Sequence, residues 1–116
     1  MRLLLASFIL LGMAITAGNA QQGCQYSHFE GKQGAGYAWV ASYNIAAKSF
    51  ELNDTAGGHG HKIGTLETEC NGNTIYLREH GSSDGNDRIC VMNVRSEGFA
   101  DGTCGGDVSM RGQFFP

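Results

Sequence analysis

The sequence lacks a second long apolar run, and this absence limits what the chain can be. Its one such run, residues 3–11, follows Arg2 and is too short to span a bilayer of about 30 Å. Residues 18–20 (Gly-Asn-Ala) then put small side chains at the −3 and −1 positions of a cleavage site. We therefore predict that residues 1–20 are a secretory signal peptide and that residues 21–116 form one secreted, extracellular domain with no membrane anchor.

Positive charge is scarce in the predicted mature chain. Once residues 1–20 are removed, it carries 7 Lys and Arg against 11 Asp and Glu, which is a net charge of −4 with neutral histidines. Binding to nucleic acid or to an anionic membrane needs a clustered positive surface, so we expect neither as a partner. The same charge balance argues against a cationic antimicrobial peptide.

Close cysteine pairs are missing as well. Structural zinc sites use C-x₂₋₄-C pairs, whereas the nearest two cysteines of this chain lie fourteen residues apart. A mature domain of 96 residues buries too little surface to be comfortably stable without covalent support. Its four cysteines therefore predict two disulfides, each contributing about 2–4 kcal/mol in an oxidising compartment.

Alternation of apolar residues predicts about six β-strands. These strands are residues 37–45, 48–52, 65–70, 73–78, 88–94 and a short strand from Val108. A lead-in arm (21–36) precedes them, and the loops between them include 96–107. Asn71-Gly72 predicts a two-residue hairpin turn with positive φ at both positions. With sixteen glycines in 96 residues and no repeat or linker, these patterns predict an all-β fold, a small antiparallel sandwich or barrel.

The predicted strand order favours one disulfide pairing. If strand 73–78 pairs with both neighbours, Cys70 and Cys90 lie at its opposite ends, about 20 Å apart. A disulfide needs Cα atoms within about 7 Å, so these two cysteines cannot be bonded to each other. We therefore prefer Cys24–Cys90 with Cys70–Cys104. The alternative, Cys24–Cys70 with Cys90–Cys104, requires the loop before Cys104 to double back.

Histidines form the sharpest local motif. His59 and His61 would point the same way in extended backbone, so both could ligate one copper or zinc ion, with His80, Glu67 or Glu69 as the third ligand. Two solvated histidines in a glycine-rich loop are the ordinary alternative. We expect no tightly bound metal and no other cofactor.

A second group of residues could carry acid–base chemistry. Glu79 and His80, with Arg78 and Arg88 near the same hairpin end, contain the groups that a hydrolytic site would need. A net negative surface repels polyanionic substrates, and no serine or cysteine nucleophile motif occurs. We assign no catalytic residue.

Two further features concern the surface and the core. Asn53-Asp-Thr is an N-glycosylation sequon in a predicted exposed loop, 53–61. The aromatic residues Tyr37, Trp39 and Tyr43 would form a carbohydrate platform if they faced solvent, but a small domain needs them as core.

In general layout the chain resembles the small secreted cysteine-rich proteins of fungi, many of which are effectors that act on a host or on competing microbes. The resemblance rests on the signal peptide, the 96 mature residues, the four cysteines and the predicted β fold. It implies a secreted binding protein without catalytic activity, directed at an extracellular protein or carbohydrate.

We expect the specificity of such a protein to lie in the loops 53–62, 79–87 and 96–106. Two alternatives belong to other classes. One is a small extracellular hydrolase or metal-dependent enzyme that uses His59, His61 and His80, and the other is an antimicrobial or killer-type toxin.

Overall fold

The chain forms a closed antiparallel barrel of eight strands in a computed structural model that describes residues 24–55, 60–81 and 87–116. In chain order the strands are β1 (His28–Gln33), β2 (Trp39–Asn44), β3 (Ser49–Asp54), β4 (His61–Asn71), β5 (Thr74–Gly81), β6 (Asp87–Val94), β7 (Phe99–Cys104) and β8 (Val108–Phe115). Each strand pairs with the next, and β8 pairs with β1 to close the barrel. Single 3-10 turns occur at Ala35–Tyr37 and Ser96–Gly98. No helix in these described ranges is long and apolar enough to cross a bilayer.

The predicted all-β fold with two disulfides is confirmed, but the barrel has eight strands where about six were expected. The two missed strands, β1 and β7, lie in the segments that we predicted to be an arm and a loop. Their inward positions include Gly31, Gln33 and Gly102, so an alternating apolar pattern is weak there. Glycine is required at Gly102, because a Cβ atom would lie 1.8 Å from the backbone oxygen of Val91 on β6.

The hairpin between β4 and β5 differs by one residue from its prediction. Asn71 and Thr74 form the last pair of the ladder, so the turn consists of Gly72 and Asn73. Only Gly72 of these residues has a positive φ, 64°. Glycine at the first turn position is typical of a type II′ turn, which explains why Asn71 stays in the strand.

The interior of the barrel is filled by side chains from every strand. Alternate residues point inward, and the largest fully buried ones are Tyr43, Phe29, Phe114, Leu52, Leu66, Ile75, Leu77, Met92 and Met110. On β4 and β6 the buried positions include Leu66, Cys70, Cys90 and Met92. Trp39 and Tyr43 of the aromatic stripe also belong to the core, whereas Tyr37 leaves it and packs under Arg111, 4.4 Å from ring centroid to guanidinium carbon.

The preferred disulfide pairing is wrong. Cys24 is bonded to Cys70, and Cys90 is bonded to Cys104. The error follows from the missed strand: β7 pairs with β6, which puts Cys104 directly opposite Cys90 with their Cα atoms 3.8 Å apart. The predicted loop would have carried Cys104 away towards Cys70.

One end of the barrel is crossed by the segment 24–27, and we call it the capped end. Ser27 donates its N–H to the carbonyl of Phe115 on β8 and accepts from the N–H of Ile45 after β2. Three residues earlier in the chain, Cys24 is bonded to Cys70 on β4, three strands away from β1 in the barrel order. The segment therefore spans this end, and the Tyr26 ring packs against Phe114 beneath it.

Candidate ligand site at the cavity end of the barrel

A cavity enters the opposite end of the barrel, which we call the cavity end. There β1, β3, β5 and β7 finish, and β2, β4, β6 and β8 begin. The cavity has a volume of about 410 Å³, and the side chains that define its character are Gln33, Trp39, Leu52, Lys62, Arg88 and Val108. Larger depressions, of about 550–600 Å³, lie elsewhere: one at the capped end is lined in part by Cys24, Tyr26 and Ile45, and two lie on the outer faces of strands.

A carboxylate lies buried beneath this cavity. Glu79 on β5 is only 3% exposed, because its position continues the inward alternation of Ile75 and Leu77. One of its oxygens accepts a hydrogen bond from Nε of Arg88, the residue directly opposite on β6, at 2.8 Å. The other oxygen accepts a hydrogen bond from the hydroxyl group of Tyr43 on β2. The carboxylate is thus held by donors from two separate parts of the barrel wall.

Gln33 completes this buried polar cluster. Its side chain is 3% exposed, and its Oε1 accepts a hydrogen bond of 2.6 Å from Nη2 of Arg88. Its Nε2 donates to the Tyr43 hydroxyl at 3.3 Å and lies 3.3 Å from the sulfur of Met110. Together Gln33, Tyr43, Glu79 and Arg88 form what we call the inner polar cluster. Each of these four side chains forms a hydrogen bond to at least one other member of the cluster.

The electrostatics of the cluster keep its donors protonated. Burial raises the pKa of Tyr43 well above its ordinary value, and the adjacent Glu79 carboxylate raises it further. For Arg88, burial acts to lower the pKa, but the hydrogen bond and charge of Glu79 outweigh it and raise the pKa. The Arg88 guanidinium therefore stays charged and the Tyr43 phenol stays neutral at physiological pH.

The inner polar cluster does not hold a metal ion. Among the described residues, Glu79, Cys90 and Cys104 are the one group of three or more His, Cys, Asp or Glu side chains whose potential ligand atoms all lie within 4.8 Å of one another. The two sulfurs are bonded to each other in a buried disulfide, so neither is the thiolate that a metal would need.

The walls of the cavity above the cluster are mainly apolar. Trp39, Leu52 and Val108 contribute side chains from three different strands. Lys62 lies at the same cavity, with its Nζ 5.9 Å from the centroid of the Trp39 ring, and Asp54 also contributes to the lining. The site therefore combines an aromatic wall with a few charged groups.

No family model, no curated protein and no solved structure matches this chain. The chemistry of the cavity end has to be argued from its own residues.

The predicted histidine site is not brought together among the described residues. His61 begins β4 and has its Nε2 2.6 Å from a Glu51 oxygen, whereas the strand partner of His80 is Thr65, four residues or about 13 Å further along β4. His59 lies outside the described residues. The two described imidazoles therefore do not share one ligand position.

His80 lies on the outer wall between two carboxylates. Its Nδ1 is 3.1 Å from Asp87, and its Nε2 is 3.4 Å from Glu67. Hydrogen bonds to Asp87 and then to Glu67 raise the pKa of His80. Glu79 and His80 are neighbours in the chain but point to opposite sides of the wall, so they do not form the acid–base pair considered from the sequence.

The sequon lies in a strand and not in the predicted loop. Asn53 is exposed on β3 and pairs with Val40 and His61, and the Thr55 hydroxyl donates to the carbonyl of Ala38 at 2.8 Å. Glycosylation of Asn53 stays a prediction.

Sequence reasoning missed Gln33 and Tyr43 as functional candidates and missed the inward position of Glu79. One signal was available for Glu79: the alternation of Ile75 and Leu77 continues to it without a break. No comparable signal marked Gln33, because β1 itself was not predicted.

Proposed function

We propose that the chain is an exported, disulfide-stabilised binding protein, without catalytic activity, that holds a small and largely apolar molecule in the cavity end of its barrel. The observation that carries this proposal is an apolar cavity that ends on a rigid, buried set of hydrogen-bonding groups. Small-molecule sites in proteins are commonly concave, apolar and equipped with a few fixed polar groups.

The size and walls of the cavity suit such a ligand. Its volume of about 410 Å³ lies within the range of roughly 300–1,000 Å³ that is usual for ligand pockets. Trp39, Leu52 and Val108 would cover the apolar surface of a bound molecule, and burying this surface contributes about 25 cal/mol per Å².

The inner polar cluster supports a binding role because stability alone does not account for it. An ion pair inside a protein seldom improves stability over apolar residues of the same volume, since both charges must be desolvated. Glu79 nevertheless occupies a buried inward position, and Arg88 pairs with it at the cavity end with a side chain that is only partly exposed. A pair of this kind fits a site that must orient a polar group of a ligand.

The protonation states of the cluster support binding without catalysis. General acid–base catalysis needs a group whose pKa lies near the working pH. The pKa of Tyr43 and that of Arg88 are both raised above values that are already high. Arg88 can therefore hold a ligand and Tyr43 can hold Glu79, but neither exchanges protons with a ligand at neutral pH.

We further propose that this binding takes place outside the cell, on a molecule of a host or of a competitor. Two disulfides are compatible with an extracellular protein. The intact mass of the exported protein tests the export step: it should begin at Gln21, and a product that keeps residues 1–20 would contradict it.

Binding is tested with N-phenyl-1-naphthylamine, a neutral apolar dye that becomes fluorescent on leaving water. The folded protein should bind it saturably with one dye per chain. Val108→Phe should fill the cavity and weaken dye binding at least about tenfold, whereas Val91→Phe, the same change on the outer face of β6, should not. Absence of saturable binding, or equal binding in both variants, would contradict the proposal.

A further inference from the structure

We infer that the ligand of the cavity end carries a carboxylate attached to a flat aromatic ring, and that Arg88 binds the carboxylate. This inference rests on the proposed function and adds the chemical class of the ligand to it. It follows from the hydrogen bonds of Arg88, the charges along the cavity and the side chain that forms its aromatic wall.

The guanidinium of Arg88 is only partly used by the protein. Its Nε donates to Glu79 and its Nη2 donates to Gln33, and these bonds use two of the five N–H donors of the guanidinium. The side chain lines the cavity and is 24% exposed. The remaining donors of a charged, oriented guanidinium match the two oxygens of a carboxylate, which Arg binds in a forked geometry.

The charges that line the cavity also favour an anion. Lys62 and Arg88 are positive and Asp54 is negative, so the lining has an excess of positive charge. The carboxylate of Glu79 lies beneath the lining, is 3% exposed and is already bonded to Arg88 and Tyr43. A cationic ligand would meet Arg88 at short range, where partial burial strengthens repulsion.

Trp39 points to a flat ring as the apolar part of the ligand. Its indole lines the cavity together with the aliphatic side chains of Leu52, on the neighbouring strand β3, and Val108, on β8. Aromatic rings pair best in offset-stacked or edge-to-face arrangements, so an aromatic ligand could pair with this indole. Lys62 holds a positive charge 5.9 Å from the Trp39 ring, so an aromatic acid would lie between two cationic groups.

The test compares two probes of almost the same shape, 2-naphthoate and 2-naphthamide, on the wild-type protein. Calorimetry is the suitable measurement, because naphthalene absorbs where the single tryptophan, Trp39, does. We expect 2-naphthoate to bind roughly tenfold to a hundredfold more tightly, since a hydrogen bond to a charged group is stronger than one to a neutral group. A rise in salt concentration should reduce this preference.

The outcomes separate this inference from the function on which it rests. Equal affinity for both probes would overturn the carboxylate assignment while leaving a binding cavity. Failure of both probes together with the neutral dye would overturn the cavity as a binding site and the inference with it.

Two substitutions test which cavity residues cause the preference for 2-naphthoate over 2-naphthamide. Arg88→Lys keeps a positive charge beside Glu79 but removes the guanidinium fork, and should reduce the naphthoate preference at least severalfold. Lys62→Gln should reduce it by a smaller factor. Arg78→Lys and Lys32→Gln, the same changes on the outer wall, should leave both affinities unchanged. A preference that survives unchanged in both cavity variants would overturn the assignment, and the wild-type probe pair decides the matter if Arg88→Lys does not fold.

Discussion

The two ends of the barrel differ in the side chains that fill their interior. At the capped end the interior is aromatic: the ring of Phe29 lies 4.6 Å from Phe114 and 5.9 Å from Tyr43, measured between centroids, and Tyr43 lies 5.8 Å from Phe50. At the cavity end the interior is polar and charged. Tyr43 belongs to both, since its ring packs among the aromatic residues and its hydroxyl group reaches Glu79.

This difference indicates a division of labour along the barrel axis. Apolar packing and the Cys24–Cys70 disulfide stabilise the capped end. The inner polar cluster lies under the cavity. Because its charged groups must be desolvated on folding, their hydrogen bonds and ion pair contribute little to the net stability of the protein. The four predictions below test whether the two ends can be altered separately.

The largest effect should come from removing the disulfide of the capped end. Replacing Cys24 and Cys70 by serine opens a loop of 46 residues and should lower the free energy of unfolding by about 4 kcal/mol. Urea denaturation measures this loss. Dye binding at the cavity end should persist in the protein that remains folded at low temperature; its disappearance there would show that the two ends are not separable.

The next effect should come from breaking the buried ion pair. Glu79→Ala leaves Arg88 without its counter-ion and should cost about 3 kcal/mol, at the low end for buried pairs because Arg88 is partly exposed. The double variant Glu79→Leu/Arg88→Met should recover most of that stability and lose the preference for 2-naphthoate. If the double variant is no more stable than Glu79→Ala, the cluster is structural and the division of labour is wrong.

A smaller effect should follow from removing one hydroxyl group. Tyr43→Phe keeps the ring in the aromatic core but takes a donor from Glu79, which should cost about 1–2 kcal/mol on chemical denaturation. Tyr76→Phe makes the same change on the outer face of β5 and serves as the control, with an expected change of less than about 0.5 kcal/mol. Equal effects in the two variants would remove the special role of Tyr43.

The smallest effect should appear at His80, on the outer wall of the cavity end. Because Asp87 and Glu67 raise its pKa in the folded state, its protonation stabilises the fold below the unfolded-state value near 6.5. That contribution fades as the pH rises through the higher folded-state value. His80→Gln should therefore lower the melting temperature slightly at pH 5 and leave it unchanged at pH 9. A loss of the same size at both pH values would contradict this account.

The strands were easier to predict from the sequence than either end of the barrel. Apolar residue patterns marked six of the eight strands. β7 was not predicted because Gly102 occupies one of its inward positions and interrupts the apolar pattern. Glycine is needed there because the neighbouring strand approaches closely in the closed barrel. The disulfide pairing failed for the same reason.

The inner polar cluster could not be predicted because its members meet only in three dimensions. Gln33 lies 55 residues from Arg88, and Tyr43 lies 36 residues from Glu79. Neither separation carries a motif, and a glutamate or an arginine in a strand is ordinarily assigned to the solvent face. The sequence drew attention instead to the predicted histidine site. Of its three histidines, His61 and His80 lie in the described part of the chain, and they lie apart on the outer wall.

Chemical-shift mapping tests the central claim, that the cavity end is the ligand site, most directly. In ¹H–¹⁵N spectra of the protein titrated with 2-naphthoate, the account predicts saturable shifts for the backbone of Gln33, Leu52, Arg88 and Val108 and for the indole N–H of Trp39. Residues of the capped end, such as Ile75 and Phe114, should stay unshifted. Shifts confined to the capped end, or to the depression on the outer faces of β1, β7 and β8 that Phe99 and Arg111 line, would contradict the account.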